Sequence, residues 1–248
     1  MTAPSAAHHP IRAVVFDLDG TLVDSLPFCV SAIARACGEA LGRPIRESEV
    51  RARFGPSESG VIRSLVGPEA HATAYRRFWE IYRADHPRRV ATFAGVPALL
   101  RGLRERGLRL AVVTGKGEET ARWTLGATGI GSVAGPVWAG SLDGGFKREN
   151  LGRAAAQLGV EPREMAYVGD QPSDMAIARE ASVRPVGAGW APGADRAGLA
   201  LDGAEVVLRS PPELARWVDG QADRPPRAPH PGRWSAGDRV EPKGGGQG

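Results

Sequence analysis

The chain reads as an α/β protein, a doubly wound parallel sheet with helices on both faces, interrupted once by an all-helical insert. Three observations lead there. An apolar, β-branched run from Ile11 to Phe16 comes first and stops at acids and a glycine. A block of helical periodicity with no strand pattern follows it. From Leu108 onward strand-like and helix-like segments alternate, and repeated βα units imply parallel strands joined by crossover helices.

Element by element, Ile11 to Phe16 is the first strand. Beyond Asp24, apolar residues take helical spacing over Leu26 to Leu41, Glu47 to Phe54, Ser57 to Val66 and Pro68 to Ala84, with charged residues between them. Gly95-Val96-Pro97 opens a helix, Ala98 to Arg106, which Gly107 ends. Further strands are expected at Leu108 to Thr114, Pro136 to Ala139, Met165 to Gly169, Arg184 to Ala188 and Ala204 to Leu208. Helices are expected at Glu118 to Ala127, Lys147 to Leu158, Pro172 to Ala181 and Pro211 to Val218. The expected organisation is a flexible terminus over 1–10, a core made of 11–25 and 93–220, and a helical cap over 26–92. That insertion leaves the carboxyl end of the first strand, where it can lie over a site as a lid. Five Pro and six Gly in 221–248 leave too little apolar surface to offset ordering entropy, so this tail is expected to be disordered.

With 42% apolar and 24% charged residues, the 248-residue chain suits a globular domain with a smaller insertion. No apolar stretch approaches the ~20 residues of a membrane helix. Met1 to Pro10 lacks the basic and apolar regions of a signal peptide, so a cytoplasmic location is expected. Cys29 and Cys37 fall in one expected helix, ~12 Å apart at 1.5 Å per residue, too far for a disulfide. The net charge of +4 does not imply nucleic acid: 221–248 holds five Lys+Arg against three Asp+Glu, and the other basic residues are scattered.

Candidate chemistry gathers where strands end. Asp17 and Asp19, two apart after the first strand, can address one substrate, as nucleophile plus proton donor, as a metal site, or both. Gly20 follows, suited to a turn that leaves the carboxylates in the crevice where open α/β sheets bind ligands. Thr114 with Gly115 offers a hydroxyl and free N–H groups before a helix, a cradle for phosphate. Lys147 begins a helix, an electrostatically poor place for a cation unless it faces an anion such as a phosphoryl oxygen. Asp170 and Asp174 lie four apart across a helix start, a spacing that serves N-capping and also suits Mg²⁺, which takes few carboxylates and several waters.

The string Phe16-Asp17-Leu18-Asp19-Gly20-Thr21-Leu22, with Thr114, Lys147 and Gly169-Asp170-x-x-x-Asp174 in order, resembles the four motifs of the haloacid dehalogenase-like hydrolases. Within that superfamily the chain is similar to the phosphoglycolate-phosphatase-like group with a helical cap on a Rossmann-like core. Phe54-Gly55-Pro56 resembles a cap loop of that group, which makes Arg53, Phe54 and Gly55 the expected specificity residues. One departure is Lys147-Arg148, where many relatives have Lys-Pro.

The resemblance implies a Mg²⁺-dependent phosphatase acting on a small-molecule phosphate monoester, as a monomer or homodimer, without nucleic acid or membrane partners. It implies Asp17 as nucleophile, forming an aspartyl-phosphate, and Asp19 as acid and then base. It implies Asp17, the Asp19 carbonyl, Asp170 and Asp174 as metal ligands, and Thr114, Gly115 and Lys147 as phosphate ligands. Asp19 argues against the dehalogenases, phosphonate hydrolases and transport ATPases of the superfamily, which lack an acid there. A sugar phosphomutase, which keeps both acids, remains the alternative. A non-catalytic nucleic-acid-associated protein using the basic tail is a further one, although it has no need of the acids.

Overall fold

The computed structural model describes residues 10–222. Among them, β1 (Ala13–Phe16), β2 (Arg109–Gly117), β3 (Val137–Gly140), β4 (Met165–Gly169), β5 (Arg184–Ala188) and β6 (Val206–Leu208) form one sheet. Its order is β3-β2-β1-β4-β5-β6, and every pairing is parallel. β1 and β4 are buried on both faces, which is why they read as unbroken apolar runs. Helices α4 (Val96–Glu105), α5 (Glu118–Ala127), α6 (Gly131–Ala134), α7 (Lys147–Leu158), α8 (Pro172–Glu180), α9 (Arg196–Leu201) and α10 (Pro211–Ala222) complete the core. Val14 and Phe16 of β1 face one apolar cluster, Ala13 and Val15 the other, as alternation along a strand demands.

Between β1 and β2 comes the helical insert: α1 (Leu26–Leu41), α2 (Glu47–Arg51) and α3 (Glu58–Arg89), with α4 following in the core. Two helical runs meet in α3 at Gly67, whose φ of 78° lies in the left-handed region. Phe28 and Ile33 of α1 and Phe78 and Tyr82 of α3 join the apolar cluster that also holds Val14 and Phe16 of β1, with the Phe28 and Phe78 rings both tilted against Tyr82. The two connections are joined to each other: Asp24 N–H donates to the Ala91 carbonyl at 2.9 Å and Phe93 N–H to the Leu22 carbonyl at 3.1 Å. The insert thus hangs from one paired two-stranded neck.

Several expected bounds shift. β2 runs on past Thr114 to Gly117, with an irregular register against β3 between Val113 and Gly117. α3 continues to Arg89, carried by burial of Tyr82 and His86 rather than by a regular apolar stripe. α6, α9 and a 3₁₀ turn at Pro162–Glu164 are too short to show a period. α10 extends through Ala222, so the first two residues assigned to the tail are helical; the rest of that expected tail, 223–248, and residues 1–9 lie outside the described residues. No helix among the described residues is long and apolar enough to cross a membrane. Cys29 and Cys37 are both free and buried.

Candidate active site

Parallel pairing alone brings the four strand-end segments together. β1 lies between β2 and β4, with Phe16 in register with Val112 on one side and Val168 on the other. Asp17, Thr114 and Asp170 therefore emerge side by side at the carboxyl edge, where the chain's direction of winding reverses. Asp17 N–H donates to the Val168 carbonyl at 2.8 Å, extending the ladder into the site. The chain then makes one tight helical turn, with Leu22 N–H donating to the Leu18 carbonyl at 2.9 Å. Gly20, at φ 80°, closes it; any Cβ there would collide with the Asp170 carboxylate.

Carboxylate oxygens of Asp17, Asp170 and Asp174 lie within 4.8 Å of one another, and all three residues are buried. Lys147 reaches into this cluster from the first residue of α7, donating to Asp17 Oδ2 at 2.9 Å and to Asp174 Oδ1 at 2.7 Å. The other oxygen of Asp17 accepts the Leu18 N–H at 2.8 Å. The second oxygen of Asp174 accepts the Gln171 N–H at 3.2 Å, so this residue caps α8 and faces the cluster at once. Thr21 donates to Asp170 Oδ1 at 3.4 Å and Gln171 Nε2 to Asp170 Oδ2 at 2.6 Å.

Three carboxylates against one ammonium leave an excess of negative charge in a place sheltered from water. Burial first, and then the charges of Asp17 and Asp174, push Asp170 up to about 7. Burial raises Asp17 to about 6 against the pull of Lys147. Burial opposes the charge on Lys147, but Asp17 and Asp174 outweigh it and hold its pKa well above the usual value. A hard divalent cation matches this set of buried oxygen donors and relieves the excess charge, so the residues present fit Mg²⁺.

Asp19 faces elsewhere. Its carboxylate accepts from Ser25 and from Lys116 Nζ at 3.2 and 3.3 Å, outside the three-acid cluster. Lys116 also forms an ion pair with Glu58 of α3 at 2.8 Å, and its side chain is fully buried. The second Glu58 oxygen accepts the Gly117 N–H at 2.8 Å. An acid of the helical insert thus binds the core loop that carries Thr114 and Gly115. Thr114 is buried, and its hydroxyl accepts the Lys116 N–H at 3.2 Å.

All of these groups open into one cleft of about 800 Å³ between the insert and the core. Asp17, Asp19, Thr114, Gly115, Lys147 and Asp170 line it, as do Phe54 and Gly55 from the insert. Asp174 joins through the acid cluster behind it. Arg53 does not line it: its guanidinium donates to the Glu49 carbonyl at 2.8 Å, and Arg51, one residue pair earlier, lines the cleft instead. Sequence reasoning missed Lys116 and Glu58. The string Thr114-Gly115-Lys116 held a hint of the first. Glu58 had none, because its partners lie 58 or more residues away.

Comparison with known proteins adds four findings. The family described as haloacid dehalogenase-like hydrolase matches residues 14–188. The tyrosine-protein kinase PtkA of Mycobacterium tuberculosis is 35% identical over 187 residues; the match covers 72% of this chain but only 62% of the length of that relative. A phosphoglycolate phosphatase of Chromobacterium violaceum is 33% identical over 218 residues, covering 82% of this chain and 95% of its own. Among solved structures, a Haemophilus somnus protein described as a predicted phosphoglycolate phosphatase superposes with a TM-score of 0.72 at 21% identity, covering 84% of this chain and 97% of that one. At that identity the likeness speaks for the fold.

Proposed function

Because the chain belongs to the haloacid dehalogenase-like hydrolase family, we propose that it is a Mg²⁺-dependent phosphatase that hydrolyses a small-molecule phosphate monoester through an aspartyl-phosphate. The observation that carries this reading is the juxtaposition of Asp17 with Asp170, Asp174 and Lys147 in one buried cluster facing Thr114. The 33% identity to a phosphoglycolate phosphatase over most of both chains supports it.

An Asp17 oxygen attacks phosphorus, and the bond to the leaving alkoxide breaks. Asp19, on the insert side of the cleft, gives that alkoxide a proton and then takes one from the water that attacks the aspartyl-phosphate. Lys147 and the Thr114 hydroxyl stand where they can bind the non-bridging oxygens as their charge grows. Asp17, Asp170 and Asp174 are the side chains that would hold Mg²⁺, with Asp19 contributing through its carbonyl. When bound, the ion offsets the charge of the phosphoryl group and of the acids around it. The helical insert serves as a cap that excludes water and completes the substrate pocket.

The decisive test is Asp17→Asn, nearly isosteric but without a nucleophilic charge. Phosphate release from a panel of esters with Mg²⁺ is expected for the wild type, and at least a hundredfold less for the variant. Release within tenfold of wild type would remove Asp17 from the chemistry. The 35% identity to a tyrosine-protein kinase favours a second reading, in which a phosphoryl group passes to a phenolic hydroxyl instead of water. Following a labelled phosphoryl group separates them: it ends as inorganic phosphate in the first case and on the acceptor in the second.

A further inference from the structure

We propose that the leaving group of the substrate is bulky, apolar and without a carboxylate, which sets this site apart from one built for a two-carbon carboxylated ester. The inference rests on the phosphatase reading for its phosphoryl end and on the insert's side of the cleft for its content.

From the insert the cleft is lined by Leu26, Cys29 and Ile33 of α1 and Val61 of α3. Cys29, Ile33 and Val61 are buried and Leu26 is half-buried, so this side of the cleft is backed by packed apolar side chains. The rim carries Phe54 from the insert and Phe146 from the core, which are 43% and 38% exposed. Together they offer apolar surface that a bulky ligand in the cleft could cover. At about 800 Å³ the cleft has the size of a site for a drug-sized ligand, and a two-carbon ester would fill a small part of it.

Charge points the same way. A carboxylate two atoms from the ester oxygen needs a free cation close to the reacting centre. Lys147 is committed to Asp17 and Asp174, and Lys116 to Asp19 and Glu58. Glu58 matters most here, because the insert itself supplies the acid that consumes the charge of Lys116. Arg51 and Arg148 line the cleft only as exposed residues at its mouth, and Arg51 also lies 3.7 Å from Glu47. Beside the reacting centre a carboxylated leaving group would meet Glu58 and two lysines already neutralised by acids. That leaves only the exposed Arg51 and Arg148 among the lining cations to offset its lost hydration.

The experiment compares benzyl phosphate with 2-phosphoglycolate, two esters of aliphatic alcohols, on the full chain with Mg²⁺. Wild-type kcat/KM is expected to favour benzyl phosphate by at least about tenfold, the scale of discrimination available to an apolar pocket. Glu58→Gln, which returns part of the charge of Lys116 to the cleft, should shift the ratio towards phosphoglycolate by about fivefold or more. Equal or reversed preference in the wild type, or an unmoved ratio in the variant, overturns the proposal. If the wild type hydrolyses no ester, the phosphatase reading fails by itself, and calorimetry with non-hydrolysable phosphonates still decides the pocket. Benzylphosphonate is expected to bind at least about tenfold more tightly than phosphonoacetate; equal or weaker binding overturns the proposal.

Discussion

Asp170 shows how much one residue's chemistry depends on its company. It lies buried among Asp17 and Asp174, with a hydroxyl and an amide as its own hydrogen-bond donors, and its carboxyl is pushed up to about 7, chiefly by burial. The folded protein therefore binds more protons at this site than the unfolded chain does between the unfolded carboxylate value and about 7. In metal-free protein this residue's contribution to stability must then grow as pH falls through about 7, the reverse of a salt-bridged acid. Thermal melts in chelator should show wild type gaining more stability than Asp170→Asn on acidification from about pH 8 to about pH 5.5, as the linkage requires. Parallel pH dependences in the two proteins would mean that the site is already neutralised by other means. The same residue should matter for metal: Asp170→Asn is expected to weaken Mg²⁺ binding strongly, and Asp174→Asn more mildly, since Asp174 also spends an oxygen on capping α8.

At the scale of elements, the junction of α3 with the core is where the insert and the segments lining the cleft hold each other. Ser57 N–H donates to the Ser141 carbonyl at 2.8 Å, Glu58 takes the Gly117 N–H and Lys116, and Gly60 lies against the Leu142 carbonyl. A Cβ on Gly60 would collide with that carbonyl, a backbone atom that cannot rotate away. Gly60→Ala should therefore lower stability by about 1–3 kcal/mol, as overpacking does, while the sheet still folds. Its kcat/KM should fall further than the change in stability alone would produce, because α3 must back away from both loops. A variant as active as wild type would show that the insert need not seat there. The rim makes a separate prediction. Phe54→Ala should reduce kcat/KM for a bulky ester at least about fivefold more than for a small activated one, because only the bulky ester uses rim contacts to reach its transition state. Arg53→Ala, turned to the Glu49 carbonyl, should leave that ratio unchanged. Equal losses on both esters for Phe54→Ala would reduce the loop to a structural support.

For the whole molecule, the proposed metal site in the buried cluster would make stability a function of Mg²⁺. A cation that binds the folded chain at about a hundred times its dissociation constant adds about 2.7 kcal/mol. In a protein of this size that amounts to roughly 5–10 °C in Tm, at about 2–4 °C per kcal/mol. Differential scanning calorimetry with Mg²⁺ and with chelator should show such a rise in wild type and little of it in Asp170→Asn. A wild-type Tm indifferent to Mg²⁺ would take the ion out of the acid cluster. The neck at Asp24–Ala91 and Leu22–Phe93 ties the insert to the turn that carries Asp19.

The order of strands and helices was legible because buried parallel strands must be apolar and end abruptly, as Met165–Gly169 does before Asp170. Asp17 and Asp170 could be named from sequence for the same reason, since each directly follows such a strand, whereas Thr114 lies near the end of β2 and Lys147 at the start of α7. Helix ends were less clear where burial overrides propensity, as at His86 near the end of α3. What only the tertiary structure decided is pairing across distance. Nothing local joins Glu58 to Lys116, turns Asp19 away from the three-acid cluster, or sends Arg51 rather than Arg53 into the cleft. Those choices follow from how the insert docks on the sheet, where an unpaired buried charge costs more than any local preference can offset, so each buried lysine takes its partners from wherever the packing brings an acid near.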